Sequence, residues 1–339
     1  MSASNRLLIA ALAATLATAP LLAAPVRINL ATLAPASTTW HKALLDMGAA
    51  WKSSTEGRVS VTVFGGGNLD EETIITKMRP GFETVQAAFL TAAGLASIDL
   101  SFNVFSIPFF LESGEEEQAV EAKLTPLIEQ KLQAKGYHLL AWGTGGWVQV
   151  FSKHPLKTLA EVKKAKLYMS KGSDEWLAWY VKNGFNIVAL LPANIPEQLK
   201  LATGLIDAAP VPPYVASTLQ IHKDAKYMLD LHIAPLPGAL IIAKSAWDKI
   251  SAEDRIKVTA AAKAFEARVR TEVPAQDAAA VKVMIATGLQ VTTLDAKAAA
   301  EFRAAANQLL STLSESMVPK DVLAAATQER DAFRKAKGK

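Results

Sequence analysis

From residue 26 the chain alternates apolar and polar positions. VRINLATLAP (26–35) carries β-branched residues and stops at Pro35, which predicts a first strand. The next stretch, STTWHKALLDMGAAWKSSTEG, changes period. Trp40, Leu44, Met47 and Trp51 recur four, three and four apart. That is one face of a helix, with Ser37 or Thr38 as its N-cap and Gly57 ending it. RVSVTVFGGG returns to strict alternation and predicts a second strand. Strand, helix and strand in so short a span imply a parallel α/β unit with a right-handed crossover.

The alternation of elements continues. DEETIITKMRPG predicts a helix with acids at its positive end, VQAAFL and FSIPFFL are apolar strand or turn segments, and EEEQAVEAKLTPLIEQKLQAKG is a helix. YHLLAWGTG, WVQVFS and KLYMS are predicted strands. LYMSKGSDEWLAWYV (167–181) reads as a strand end, a turn and a helix crowded with Trp176, Trp179 and Tyr180. Trp176 and Tyr180 share a helical face, which suits core packing against a sheet and could also line a binding site. From about residue 246 the chain is mainly Ala-rich helix, with LQVTTL as one late strand. Changes of pattern near 146–155 and 230–238 mark switches between two α/β lobes. A chain crossing more than once between such lobes places a cleft at the carboxyl ends of the strands.

Composition narrows the class. Lys and Arg total 36 against 32 Asp and Glu, a net charge of +4, and the charges are dispersed. No basic stripe interleaved with aromatics supports nucleic-acid binding. Arg6 precedes LLIAALAATLATAPLLAA, an apolar run ending in small residues. Residues 1–24 therefore read as a signal peptide cleaved near Ala23 or Ala24; the alternative, an uncleaved anchor, is interrupted by Pro20. The chain has no cysteine, so disulfides, thiolate metal sites and Cys nucleophiles are absent. The expected mature protein is exported and held by core burial alone.

Enzyme patterns are scarce. The histidines (His41, His138, His154, His222, His232) are scattered, without H-E-x-x-H, G-x-S-x-G or S-x-x-K. No catalytic residue, metal or cofactor is expected. FGGGNLDEE (64–72) lacks the G-K-[ST] ending of a phosphate loop, and its acids would repel phosphate. GTGGW (143–147) admits two readings: close backbone approach to a ligand, or a bend between strands.

VFGGGNLDEETIITKMRPGFETVQAAFL, FSIPFFLES, HPLKTLAEVKKAKLYMS, LATGLIDAAPVPP and KSAWDKISAEDR occur in this order. Together they resemble the TRAP-transporter periplasmic substrate-binding proteins of the DctP type. The resemblance implies an α/β, two-lobed periplasmic binding protein fold with hinge strands and long C-terminal helices spanning both lobes. Lobe I would comprise 25–147 plus about 238–275. Lobe II would comprise 148–237 plus about 276–339 with the C-terminal helices. The ligand would be enclosed by lobe closure and passed to the small and large TRAP membrane subunits.

Such proteins usually hold a carboxylate through an Arg in a K-[IL]-R-V-P strand. Here KLYMS puts Tyr168 at that position, Val148 replaces a second Arg, and Val211 replaces an Asn. Thr91 and Gly94 replace further polar or charged positions. These departures resemble a subset of the family that works with a tetratricopeptide-repeat partner, and they imply a hydrophobic or neutral ligand. Tyr168, Val148 and Val211 would shape the pocket, with Trp40, Asn68, Thr91 and Phe110 from the first lobe and Trp142 and Trp147 beside them. The alternative is an organic acid, a dicarboxylate or keto acid, held by Lys171 or a displaced Arg. A secreted enzyme on the same scaffold is a third reading.

Overall fold

A computed structural model describes residues 24–65, 70–172, 174–200 and 204–338. The expected signal peptide, apart from Ala24, and Asn68 lie outside the described residues. The chain opens as β1 (Val26–Thr32), α1 (Thr39–Ser54), β2 (Val59–Gly65), α2 (Glu71–Met78), β3 (Ala87–Thr91) and α3 (Ala92–Ala96). A 3-10 turn (Leu100–Ser106), α4 (Gly114–Ala134) and β4 (Tyr137–Trp147) follow. FSIPFFL is thus turn, not strand. Next come β5 (Gln149–Ser152), α5 (Leu159–Lys164), β6 (Lys166–Ser170), α6 (Asp174–Lys182) and β7 (Asn186–Leu190). They lead to α7 (Ile195–Leu199), β8 (Ala208–Val211), α8 (Pro213–Thr218) and β9 (Tyr227–Asp230). The chain closes with β10 (Pro235–Ala243), α9 (Lys244–Trp247), α10 (Ala252–Ala286), β11 (Gln290–Thr293), α11 (Ala296–Leu310) and α12 (Lys320–Ala336).

These strands form two sheets. One has the order β2-β1-β3-β10-β4, the other β11-β9-β5-β8-β6-β7. β1 pairs in parallel with β2, Val26 opposite Val59, as the first alternating segments require. β10 enters antiparallel between β3 and β4. In the first sheet β1, β2 and β3 end at Thr32, Gly65 and Thr91. In the second, β6, β7 and β8 end at Ser170, Leu190 and Val211.

The chain passes between the sheets at Val148 and again at 231–234. The two passages pair: Val148 N–H donates to the Ala234 carbonyl at 2.9 Å, and Ile233 N–H to the Val148 carbonyl at 3.0 Å. The buried Gln149 side chain braces them, its Oε1 accepting from Leu231 and His232 N–H at 2.7 and 3.0 Å. His232 sits at φ +48°, an unfavourable region for a bulky residue that recurs at switch segments.

A third connection is α10, whose 35 residues span about 52 Å at about 1.5 Å per residue. One stripe of it serves both cores. Val258, Ala262, Phe265, Val269 and Val273 pack with the first sheet's residues, and Ala280 and Met284 with the second's. Pro274, which has no N–H to give the helix ladder, stands between the two sets. The chain then crosses once more. α11 follows the second sheet, and α12 lies on α4 of the first sheet's layer, where Lys131 pairs with Asp321 at 2.9 Å and Arg334 with buried Glu116 at 2.5 Å.

Candidate functional site

The polar groups of the cleft gather where α2 begins and β6 ends. Asp70 caps α2, its carboxylate accepting from Thr73 N–H at 2.6 Å, and the next residue, Glu71, turns inward. Glu71 accepts from Thr91 N–H at 2.6 Å and from the Thr91 hydroxyl at 2.7 Å. Gly94 leaves it room, since a Cβ there would lie 2.6 Å from the carboxyl. Burial pushes Glu71 up to about 7, against the pull of those hydrogen bonds. Tyr168, 9% exposed, faces it from the second sheet. Burial raises the Tyr168 phenol well above its ordinary value, and the Glu71 charge adds to the rise.

Beside this pair lies a cavity of about 310 Å³, lined by Glu72 from α2 and by Met169, Ser170, Lys171, Gly172, Asp174, Leu177 and Ala189 from the second sheet's side. Its volume falls at the lower end of the range for small-molecule sites, roughly 300–1,000 Å³. The walls are mixed: one ammonium group, two carboxylates, a hydroxyl and short apolar surfaces. A second hollow, about 180 Å³, is lined by His138, Lys244, Trp247 and Arg255. It lies at the start of β4 and the end of β10, the other end of the first sheet, and takes no part in the cleft.

Of the residues singled out in the sequence, Lys171 lines the larger cavity and Tyr168 lies next to it. Thr91 meets the site through Glu71. Val148 and Trp147 form the hinge, and the Trp147 ring lies 6.2 Å from that of His232. Val211 is 6% exposed and belongs to the second core. Trp40 is buried in the first sheet's core, its indole N–H donating to the Thr144 carbonyl at 2.8 Å. Trp142 and Phe110 are core residues. Trp142 packs against Phe102 and Phe105 and donates to the Thr125 hydroxyl at 2.9 Å, and Phe110 is covered by Arg330 at 4.4 Å.

The aromatics of α6 are also packing residues. Trp176 and Trp179 meet edge to face at 5.5 Å, and Trp179 donates to the Thr312 hydroxyl at 3.0 Å. GTGGW lies within β4. Cβ atoms at Gly143, Gly145 and Gly146 would collide with Phe89, Leu236 and Asp277 respectively.

Glu71, Ser170, Tyr214 and Asp277 escaped the sequence reading. Glu71 was visible only as an acid in a first helical turn. Asp277 accepts from Tyr214 N–H at 2.7 Å and from the Trp147 backbone. Burial pushes it up to about 6.

The family model of bacterial extracellular solute-binding protein, family 7 (DctP), matches residues 30–316. The 2,3-diketo-L-gulonate-binding periplasmic protein YiaO of Escherichia coli K12 is 26% identical over 248 residues, 72% of this chain and 74% of that one. A TRAP periplasmic solute-binding protein from Xanthobacter autotrophicus, solved with bound β-D-galacturonate, superposes with a TM-score of 0.81 at 21% identity, covering 90% of this chain and 99% of the other. One from Haemophilus influenzae, solved with L-gulonate, gives 0.81 at 19%, with the same coverage. At such identities the likeness establishes the two-lobed fold.

Proposed function

Since the chain belongs to the DctP family of bacterial extracellular solute-binding proteins, we propose that it captures an organic acid, of the polyhydroxy sugar-acid kind, between its two lobes for a TRAP-type transporter. The observation that carries the ligand class is Lys171, the one cationic side chain among the described residues lining the larger cavity. Glu72, Asp174 and Ser170 around it suit ligand hydroxyls, and Met169 and Leu177 suit the carbon face of a sugar ring.

The bound acids of the relatives support the same class. The relatives do not support the apolar or neutral ligand expected from Tyr168, Val148 and Val211. Two of those residues are also otherwise employed: Val148 commits both backbone groups to the hinge, and the Val211 side chain is in a core. The lobes are proposed as 25–147 plus 238–275 and 148–237 plus 276–339, with the last helix, α12, reaching back to lie on α4 of the first. The small and large membrane subunits are the proposed partners, with a tetratricopeptide-repeat protein as a third. Periplasmic placement follows from the family, and cleavage near Ala23 or Ala24 is part of the proposal.

Closure would dehydrate the cavity and let the membrane subunits distinguish an occupied from an empty protein by a population shift. Calorimetric titration with D-galacturonate, and with neutral D-galactose as its counterpart, tests the ligand class. The acid should bind and the neutral sugar should not. Lys171→Met should weaken the acid by about 10- to 150-fold, the worth of one charge-assisted hydrogen bond at about 1.5–3 kcal/mol. Equal binding of the two sugars, or an unchanged Lys171→Met, overturns the assignment.

A further inference from the structure

The lobes also touch through a second set of residues, none of which lines the cavity. Tyr214 lies in the first turn of α8, directly after the Pro212–Pro213 pair that follows β8. Its phenol oxygen accepts from Thr39 N–H, at the start of α1, at 3.1 Å. Its ring lies 4.8 Å from that of Trp40. One partner comes from the second sheet's connections and the other from the first sheet's, 175 residues away in sequence.

Each partner is fixed on its own side. Trp40 is tied to β4 by its bond to Thr144. Thr39 is the first helical residue after the N-cap Thr38, so its N–H is one of the donors that a helix leaves without an internal partner. Tyr214 is held by its own N–H on Asp277 of α10. Two prolines set the backbone that delivers it, and their restricted φ limits its freedom. The next residue, Val215, packs against both cores.

We infer that Tyr214 is a positioning residue for capture: a latch that closes on Thr39 and Trp40 and sets the resting balance of open and closed lobes before any ligand arrives. The inference rests on the two-lobed capture reading but is independent of which ligand is taken. A ligand that binds the closed form gains affinity in proportion to the closed fraction already present. The latch therefore acts on affinity without a ligand contact.

Two substitutions break the same bond from opposite sides. Tyr214→Phe removes the acceptor and keeps the ring. Thr39→Pro removes the donor at a position where helices accept proline, since that N–H is outside the ladder and the preceding residue is already extended at φ −84°, ψ 158°. Tyr214→Ala removes ring and hydroxyl together.

The chain contains no cysteine, so spin labels at Lys123→Cys and Lys182→Cys, both exposed, report the lobe separation without interference. Pulsed dipolar spectroscopy on the ligand-free full-length mature protein should resolve a short and a long distance. Tyr214→Phe and Thr39→Pro should each shift the ratio toward the long distance by about five-fold, as one neutral hydrogen bond dictates. Tyr214→Ala should shift it by about thirty-fold, once ring stacking is lost as well. The Tyr214→Phe/Thr39→Pro double variant should shift it no further than either single change.

Unchanged distances in variants that melt like the parent overturn the latch, as do additive effects in the double variant. Should Tyr214→Ala fail to fold, the two conservative variants decide. No ligand enters this measurement, so failure of D-galacturonate to bind would refute the ligand class and leave the latch standing.

Discussion

Removing Arg334 tests how the last helix is held. Arg334 on α12 meets Glu116 on α4 with two nitrogens, Nε to Oε1 at 2.5 Å and Nη2 to Oε2 at 3.2 Å. It also donates to the Phe110 carbonyl at 3.1 Å. Its side chain is 26% exposed and that of Glu116 only 2%. Arg334→Met keeps the apolar stem and strands a buried carboxylate whose other cross-turn donor is Glu112 N–H at 2.6 Å. Breaking one side of a buried pair costs roughly 3–5 kcal/mol, and the partial exposure of Arg334 places this case near about 3 kcal/mol. In urea, with a slope of about 3 kcal/mol per molar, the midpoint falls by about 1 M at unchanged slope. Glu116→Gln combined with Arg334→Met should recover most of the loss, because no charge is then left unpaired. A loss below about 1 kcal/mol in the single variant, or a double variant worse than the single, would refute the buried-pair account.

Other expectations follow from the cleft and hinge. Glu71 titrates near 7 in the folded protein and near its ordinary carboxylate value when unfolded. The folded state therefore holds the extra proton between about pH 4.5 and 7, and stability falls as pH rises through that window, by at most about 1.4 kcal/mol per pH unit for this group. Glu71→Gln should flatten the fall in a denaturation series from pH 5 to 8; an unaltered slope would exclude Glu71 as its source. Gly146 and Gly172 share φ +94°, but a Cβ on Gly146 would lie 2.0 Å from Asp277 whereas Gly172 has open space. Gly172→Ala should cost about 1 kcal/mol and Gly146→Ala several times that, read as melting temperatures, and equal costs would contradict the packing at the hinge.

What the sequence disclosed depended on range. β1, α1 and β2 are written in periods of two and 3.6 over a few residues, and Thr38 caps α1 as its spacing implies, accepting from His41 N–H. The order of the first sheet is not local: nothing in PGALIIA says that β10 lies between β3 and β4. Strand parity could place Trp142 and Trp147 on opposite faces without saying which face is buried. Phe110 looked free for a ligand because its cover, Arg330, lies 220 residues further along the chain. Glu71 was legible as a helix-end acid, but its partner Thr91 is twenty residues away, and Tyr214 meets Thr39 across 175. The resemblance located Tyr168 and Lys171 near one another and near the cleft. Its expectation of an apolar or neutral ligand weighed Tyr168 and two valines above the lysine three residues beyond Tyr168, and the acid-bound relatives do not support that expectation.

The central position of β10 has a consequence for synthesis. Residues 235–243 complete the ladders of both β3 and β4, so a nascent chain cannot assemble its first sheet until more than two thirds of its length has been made. Until then β3 and β4 each present an unpaired edge, and Leu90 and Ala141, both buried in the finished protein, lack the β10 partners they face in the ladder. Such edges invite pairing with other chains, and closure over so long a separation is slow. A ribosome-bound chain of this protein thus carries those open edges for most of its elongation. That delay leaves the chain dependent on whatever shields those edges meanwhile.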